Sequence, residues 1–240
     1  PNSRQIEKLG EGKIPEGNMF FYDRISEGIR KVIESNKRGW NFYEPNSARL
    51  YDNLFRGASI SDIVKFSQDR ISAEVAERLA DDLQKYGVKL IIASEGREGL
   101  RFKYRNREGK LSAWCKVSVD GIEDIRDSSG AGDWLTAVFS YRFLGKYPYL
   151  VEALDEDTLR RMFDEAQYIA AMKCHFLGAQ GIFANHEAIS RLNELLSSDI
   201  AYLEDEGCEW QYSCSYCKIY KSLNCEDTEK KIGKKKCQKK

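Results

Sequence analysis

The sequence holds 240 residues, 42% of them hydrophobic and 12% aromatic, enough to bury a sizeable core and long for a single domain. Lys+Arg and Asp+Glu both number 38, so net charge gives no general argument for nucleic acid or a membrane surface as partner. No window approaches the ~18–20 apolar residues of a membrane span, and the first residues are polar with no signal-peptide core, so a soluble, cytoplasmic protein is expected. The chain opens Pro1-Asn2-Ser3-Arg4 without an initiator Met, which reads as a processed or truncated piece of something longer.

In chain order, residues 1–17 are polar and carry Gly10, Gly12, Pro15 and Gly17, the composition of a linker or remnant. Met19-Phe20-Phe21-Tyr22 suits a buried strand, and Ser26 to Ser35 puts Ile29, Val32 and Ile33 on one helical face. A second strand over Trp40–Tyr43 stops at Glu44-Pro45-Asn46, where proline ends regular pairing. A short helix from about Ala48 to Arg56 leads to a strand over Asp62–Phe66. Val75, Leu79 and Leu83, spaced by four, predict a helix from Ser72 to Tyr86 with Gly87 as its stop. The continuous apolar run Val88–Ala93 reads as a strand of a parallel sheet. Strand and helix in alternation predict an α/β fold.

Two extended pieces between Leu100 and Val119, around Asn106-Arg107-Glu108-Gly109, predict a hairpin. Trp134 to Leu144 is apolar nearly all round and predicts a helix through the core. Asp155 to Leu177 predicts another, with Leu159, Met162, Phe163, Ala166, Ile169, Ala170 and Phe176 on a stripe that reads as core. Gly178-Ala179-Gln180-Gly181 closes it, and His186 to Leu196 forms the last helix.

The stretch with chemical content is Asp127-Ser128-Ser129-Gly130-Ala131-Gly132-Asp133. Two glycines around an alanine let the backbone approach a ligand, and a helix starting there presents unpaired N–H groups and the positive end of its dipole. Such an end attracts phosphate oxygens. A carboxylate just after that cradle, at Asp133, is placed to take a proton from a hydroxyl while the amides stabilise charge on a transferred phosphoryl group. The alternative is structural: Asp127, Ser128 or Ser129 caps the helix and the glycines make a tight turn.

As it stands, this seven-residue stretch closely resembles the C-terminal signature of the ribokinase-like (PfkB-type) carbohydrate kinases. The likeness extends over roughly residues 18–197. Asp62-Ile63-Val64-Lys65-Phe66-Ser67 resembles the strand leading into the family's metal and phosphate motif. Ile91-Ile92-Ala93-Ser94-Glu95-Gly96-Arg97-Glu98-Gly99 resembles the strand and glycine loop that lie along the nucleotide phosphates. Ala170-Ala171 through Gly181 resembles the helix and loop beside the adenine pocket.

The resemblance implies an α/β, three-layer αβα sheet without the family's N-terminal strands and lid, and ATP-dependent phosphotransfer to a hydroxyl of a sugar or nucleoside-like small molecule. It implies Asp133 as general base, an anion hole at Gly130, Ala131 and Gly132, ATP phosphates beside Ser94, Gly96 and Gly99, and Mg²⁺ carried on those phosphates. Asp127, Ser129 and Gly178 fall where many members bind a monovalent cation, and Gly178 also borders the nucleotide. Two departures stand out. Ser67-Gln68-Asp69-Arg70 occupies the place of the common Asn-x-x-Glu, so Arg70 replaces the glutamate and Asp69 is the nearest substitute as a metal ligand. The family's first hundred or so residues, with a Gly-Gly substrate motif, have no counterpart, so an N-terminal segment or partner chain is expected to complete the substrate site. A non-catalytic nucleotide-binding regulator or scaffold is the rival reading.

The domain boundaries expected are 1–17 as linker or remnant, 18–198 as the nucleotide-binding and catalytic region, and 199–240 as a cysteine- and lysine-rich tail. Cys208, Cys214, Cys217 and Cys225 offer four thiolates with the donor chemistry of tetrahedral structural Zn²⁺. Free or redox-active thiols and disulfides are the alternatives, since only Cys214 and Cys217 have the short Cys-x-x-Cys spacing. Trp210, Tyr212, Tyr216 and Tyr220 precede a lysine-rich end; they read as the miniature core of a metal-stapled module in preference to a nucleic-acid surface.

Overall fold

The computed structural model describes residues 18–45, 51–68, 70–119 and 125–197. By internal contacts the chain divides into Pro1–Leu195 and Leu196–Lys240, and the fold below is that of the first unit. Its elements are β1 (Met19–Tyr22), α1 (Glu27–Ser35), β2 (Trp40–Tyr43), α2 (Tyr51–Ala58), β3 (Ile63–Ser67), α3 (Ala73–Leu83), β4 (Leu90–Ser94), β5 (Leu100–Tyr104), β6 (Cys115–Val117), α4 (Ala131–Lys146) and α5 (Glu156–Lys173). A further helix, α6, covers His186–Ser197. The expected Asp69 and the four tail cysteines lie outside the described residues.

Six strands form one sheet in sequence order. β1 to β4 are parallel, with Phe42 opposite Ile63 and Ile63 opposite Leu90. β5 and β6 return antiparallel as the predicted hairpin. Because side chains alternate along a strand, the sheet has two apolar faces. Tyr22, Tyr43, Val64, Phe66, Ile91 and Ala93 pack with Ile33, Leu54, Ala58, Leu79 and Leu83 of α1 to α3. The opposite face meets α4 and α5: Trp40 lies 4.7 Å from Phe143, Phe102 4.9 Å from Phe163, and Phe139 stacks on Phe163 at 4.5 Å between ring centroids. The result is the expected three-layer αβα arrangement.

Local chemistry sets the helix ends. Ser26 Oγ accepts from Ile29 N, Ser72 Oγ from Val75 N and Asp155 Oδ1 from Thr158 N, so three helices begin on a side-chain cap. The helix predicted to run to Tyr86 ends instead at Leu83; Gln84–Tyr86 tighten into a 3₁₀ turn before Gly87 adopts φ 81°. The helix predicted to run to Leu177 ends at Lys173, where Cys174 N already bonds back to Ala171 O. Among the described residues no helix is long and apolar enough to cross a membrane.

Candidate functional site

The carboxyl ends of β1 to β4 all reach the same side of the sheet, the place where open α/β sheets hold ligands. A cleft of about 790 Å³ lies there, lined by Asp23, Glu44, Ser67 and Ser94 at the strand ends. Gly96, Gly99, Gly130, Ala131, Gly132 and Asp133 line the same cleft. The structure thus gathers the phosphate-loop, anion-hole and base residues named from the sequence. Asp127, Ser129 and Gly178 are not among its walls and form an adjoining knot.

The predicted start of α4 at Trp134 moves back to Ala131, which puts Gly132 and Asp133 inside its first turn. Gly130 stands at the cap position in the left-handed region (φ 78°), with no side-chain cap bond. The structural alternative, a capping Asp or Ser at this helix, is therefore not what the chain does. A Cβ on Gly130 would sit 2.6 Å from Ala179 Cβ, so glycine is required by both conformation and contact. Ala131 N turns back to Ser128 O at 3.1 Å, leaving the amides of Gly132 and Asp133 without helical partners. Of the expected Gly130–Gly132 set, Ala131 thus spends its amide within the turn, and the Asp133 amide joins that of Gly132 at the helix start.

The adjoining knot is built from residues far apart in sequence. Asp127 Oδ1 accepts from Ser129 N at 2.8 Å, and Oδ2 accepts from Gly178 N at 2.7 Å. The indole N–H of Trp134 donates to Ala179 O at 2.8 Å. The Ser129 and Gly178 amides hold the Asp127 carboxyl down to about 2. A depressed carboxyl stabilises the fold above its ordinary pKa of 3.8 and loses that contribution as the pH falls through its folded value. The knot is therefore expected to stay closed at pH 4 and to loosen between about 3.8 and 2. Amide exchange at Ser129 and Gly178 checks this; loosening already near pH 5 would contradict it.

The cleft floor contains a charge that sequence reading passed over. Lys65, in the middle of β3 and only 2% exposed, pairs through Nζ with Glu44 Oε1 and lies 3.4 Å from Gly132 O. Thr136 Oγ1 stands 2.8 Å from the other Glu44 oxygen and 3.0 Å from Gly132 O. An ion pair between β3 and the residue that follows β2 thus supports the first turn of α4. Its only signal in the sequence was a lysine inside the apolar run Ile63-Val64-Lys65-Phe66.

Gln167 is the second omission. It is buried in α5, lines the cleft and donates from Nε2 to Val117 O at 3.4 Å, while its Oε1 has no partner among the described residues. On the same helix face, Ala170, Ala171 and Cys174 add an apolar strip, with Val119, Ile125 and Leu135 beside it. Gly99 makes room for this amide. A Cβ there would lie 2.9 Å from Gln167 Oε1 and 2.2 Å from Val117 O, on a backbone at φ 93° and ψ −129°. Gly99→Ala is accordingly expected to destabilise the protein by about 2–3 kcal/mol, read as a shift in urea midpoint; an unchanged midpoint would refute the packing described.

Lys65, Arg70 and Arg97 line the cleft together with Asp23, Glu44 and Asp133 and with the apolar strip beside Gln167. Among the described residues no group of three His, Cys, Asp or Glu side chains is placed to hold a metal ion.

No protein-family model matches the sequence, and a comparison with curated proteins finds no match. Solved structures do match. A fructokinase from Vibrio cholerae, in a form bound to fructose, ADP and calcium, superposes with a TM-score of 0.57 at 17% identity over 75% of this chain and 62% of its own. Aminoimidazole riboside kinase from Salmonella enterica, complexed with its riboside and an ATP analogue, gives 0.53 at 17% identity over 76% and 64%. A nucleoside kinase from Burkholderia thailandensis in complex with inosine gives 0.54 at 16% over 78% and 58%. The chain spans less than two thirds of the length of each of these kinases. At such identity the shared property is the arrangement of the backbone: the chain has the ribokinase-like, PfkB-type fold.

Proposed function

We propose that the protein transfers the γ-phosphoryl group of ATP to a hydroxyl of a sugar or nucleoside-like small molecule. The observation that carries this reading is Asp133 in the first turn of α4, beside a Gly132 amide without a partner among the described residues, in a cleft at the carboxyl ends of the parallel strands. Asp133 takes the acceptor's proton as the phosphoryl group arrives, and the Gly132 and Asp133 amides receive charge developing on its oxygens. Arg70 and Arg97 line the same cleft and offer guanidinium donors suited to phosphate oxygens. The apolar strip and Gln167 Oε1, an acceptor with no donor among the described residues, suit the base end of a nucleotide. The ATP phosphates would lie along Ser94, Gly96 and Gly99.

Mg²⁺ is implied by the reaction class, since it neutralises phosphate charge during transfer. It takes most of its ligands from phosphate and water oxygens, so the lack of a metal-holding cluster among the described residues is compatible with its arrival on the nucleotide. An N-terminal segment or partner chain is proposed to complete acceptor recognition.

The test is ADP formation with ATP and Mg²⁺ across a panel of sugars and nucleosides. Acceptor-dependent turnover supports the reading. One observation favours a rival: Arg70 lines the cleft where the resemblance expects a carboxylate. A non-catalytic nucleotide-binding protein would show saturable ATP binding with no transfer to any acceptor.

A further inference from the structure

The knot beside the cleft holds a cation of its own. Lys173, the last residue of α5, is completely buried, and its Nζ donates to the backbone carbonyl of Asp127 at 2.8 Å. A lysine buried to this degree is costly to desolvate and persists where its charge has a fixed use. Here the surroundings supply one. The carbonyl it bonds belongs to the residue whose carboxylate gathers the amides of Ser129 and Gly178. The next residue, Cys174, receives the amides of Arg126 and Asp127 on its carbonyl. Gly130 then packs against Ala179 and opens α4. One ammonium therefore lies under the junction of the two loops that set the first turn of α4.

The resemblance places a monovalent cation at Asp127, Ser129 and Gly178, and the residues present do not fit one. Both Asp127 carboxylate oxygens already accept amide protons, and its carbonyl accepts the ammonium. Gly178 turns its N–H toward Asp127, and Ser129 its N–H together with its hydroxyl, all donating to the carboxylate; the N–H groups repel a cation. A free ion coordinated by the same carbonyl would also stand beside a buried positive charge. We infer that the Lys173 ammonium is a tethered substitute for that ion, a positioning group that fixes the Asp127–Gly130 turn and makes the protein independent of potassium. For its catalytic consequence this rests on the phosphotransfer reading; for the order of the loops it does not.

The experiment follows hydrogen exchange of the Arg126–Ala131 and Gly178–Gly181 segments. Wild type, Lys173→Met and Lys173→Arg are compared in potassium, ammonium and tetramethylammonium chloride at equal ionic strength, with nucleotide titrations on the same samples. Wild-type protection is expected to be the same in all three salts. Lys173→Met should exchange at least tenfold faster in tetramethylammonium and recover part of that protection in potassium or ammonium, while Lys173→Arg retains most of it. Wild-type loops that tighten only in potassium overturn the inference. So does a Lys173→Met protein protected like wild type without potassium, or one that loosens and regains nothing from any ion. Should Lys173→Met fail to fold, the wild-type salt comparison still decides. Wild-type loops that are protected in every salt but bind no nucleotide would leave this inference standing and remove the phosphotransfer reading.

Discussion

Asp133→Asn is expected to lower acceptor-dependent turnover by about three orders of magnitude, the span of a positioned general base, while ATP affinity changes by less than about threefold. The amide keeps the shape of the carboxylate but accepts no proton at neutral pH. The side chain lies in the first turn of α4 and is exposed to the cleft, so the substitution opens no core cavity. It removes a favourable charge–dipole interaction worth about 0.3–1 kcal/mol, too little to unfold the protein. Steady-state rates beside a nucleotide titration separate the roles. A variant that turns over like wild type would take Asp133 out of the reaction, and one that loses ATP affinity in step with rate would make it a binding residue.

Lys65→Met should carry the largest stability cost. Removing one member of a buried ion pair leaves its partner charged and poorly solvated, at about 3–5 kcal/mol. The Glu44 side chain keeps 22% of its surface in water, which places the expected loss near the lower figure, about 3 kcal/mol. For a chain of this size that is a fall in melting temperature of about 6–12 °C. Glu44→Gln in the Lys65→Met background should recover part of it, because the amide no longer carries an uncompensated charge. The network also bears on function: with Lys65 gone, Gly132 O loses the ammonium 3.4 Å below it, and nucleotide affinity should fall with stability. Melting curves of the two single variants and the double variant check the coupling; strictly additive losses would mean that Glu44 and Lys65 do not act as a pair.

The fold was legible because its signals are local. Met19–Tyr22, Trp40–Tyr43 and the Val88–Ala93 run are short apolar stretches between turns, and each became a parallel strand. The turn that opens α4 at the cleft was legible for the same reason, since Asp127 to Asp133 is contiguous and α4 begins inside it. Contacts between distant residues were not. Asp127 and Gly178 are 51 positions apart; the family resemblance put them at one site as cation ligands, and nothing in either neighbourhood shows that the amide of one meets the carboxylate of the other. Lys65 and Glu44 come together because β2 and β3 are adjacent, and their pairing makes a charge tolerable in a buried strand. Lys173 reads as a solvated residue at a helix end; its burial follows from the loops folded over it. Gln167 reads as one polar position among core residues, and only the missing partner on Oε1 gives it away.

The most direct test of the account is phosphorus NMR of the wild-type protein with ATP, Mg²⁺ and the acceptor panel. Decay of the γ-phosphate resonance matched by growth of a phosphomonoester signal on one acceptor, and absent with Asp133→Asn, is the predicted result. Release of inorganic phosphate alone, or ATP bound and unchanged with every acceptor, would contradict phosphotransfer and leave a nucleotide-binding protein on a kinase fold.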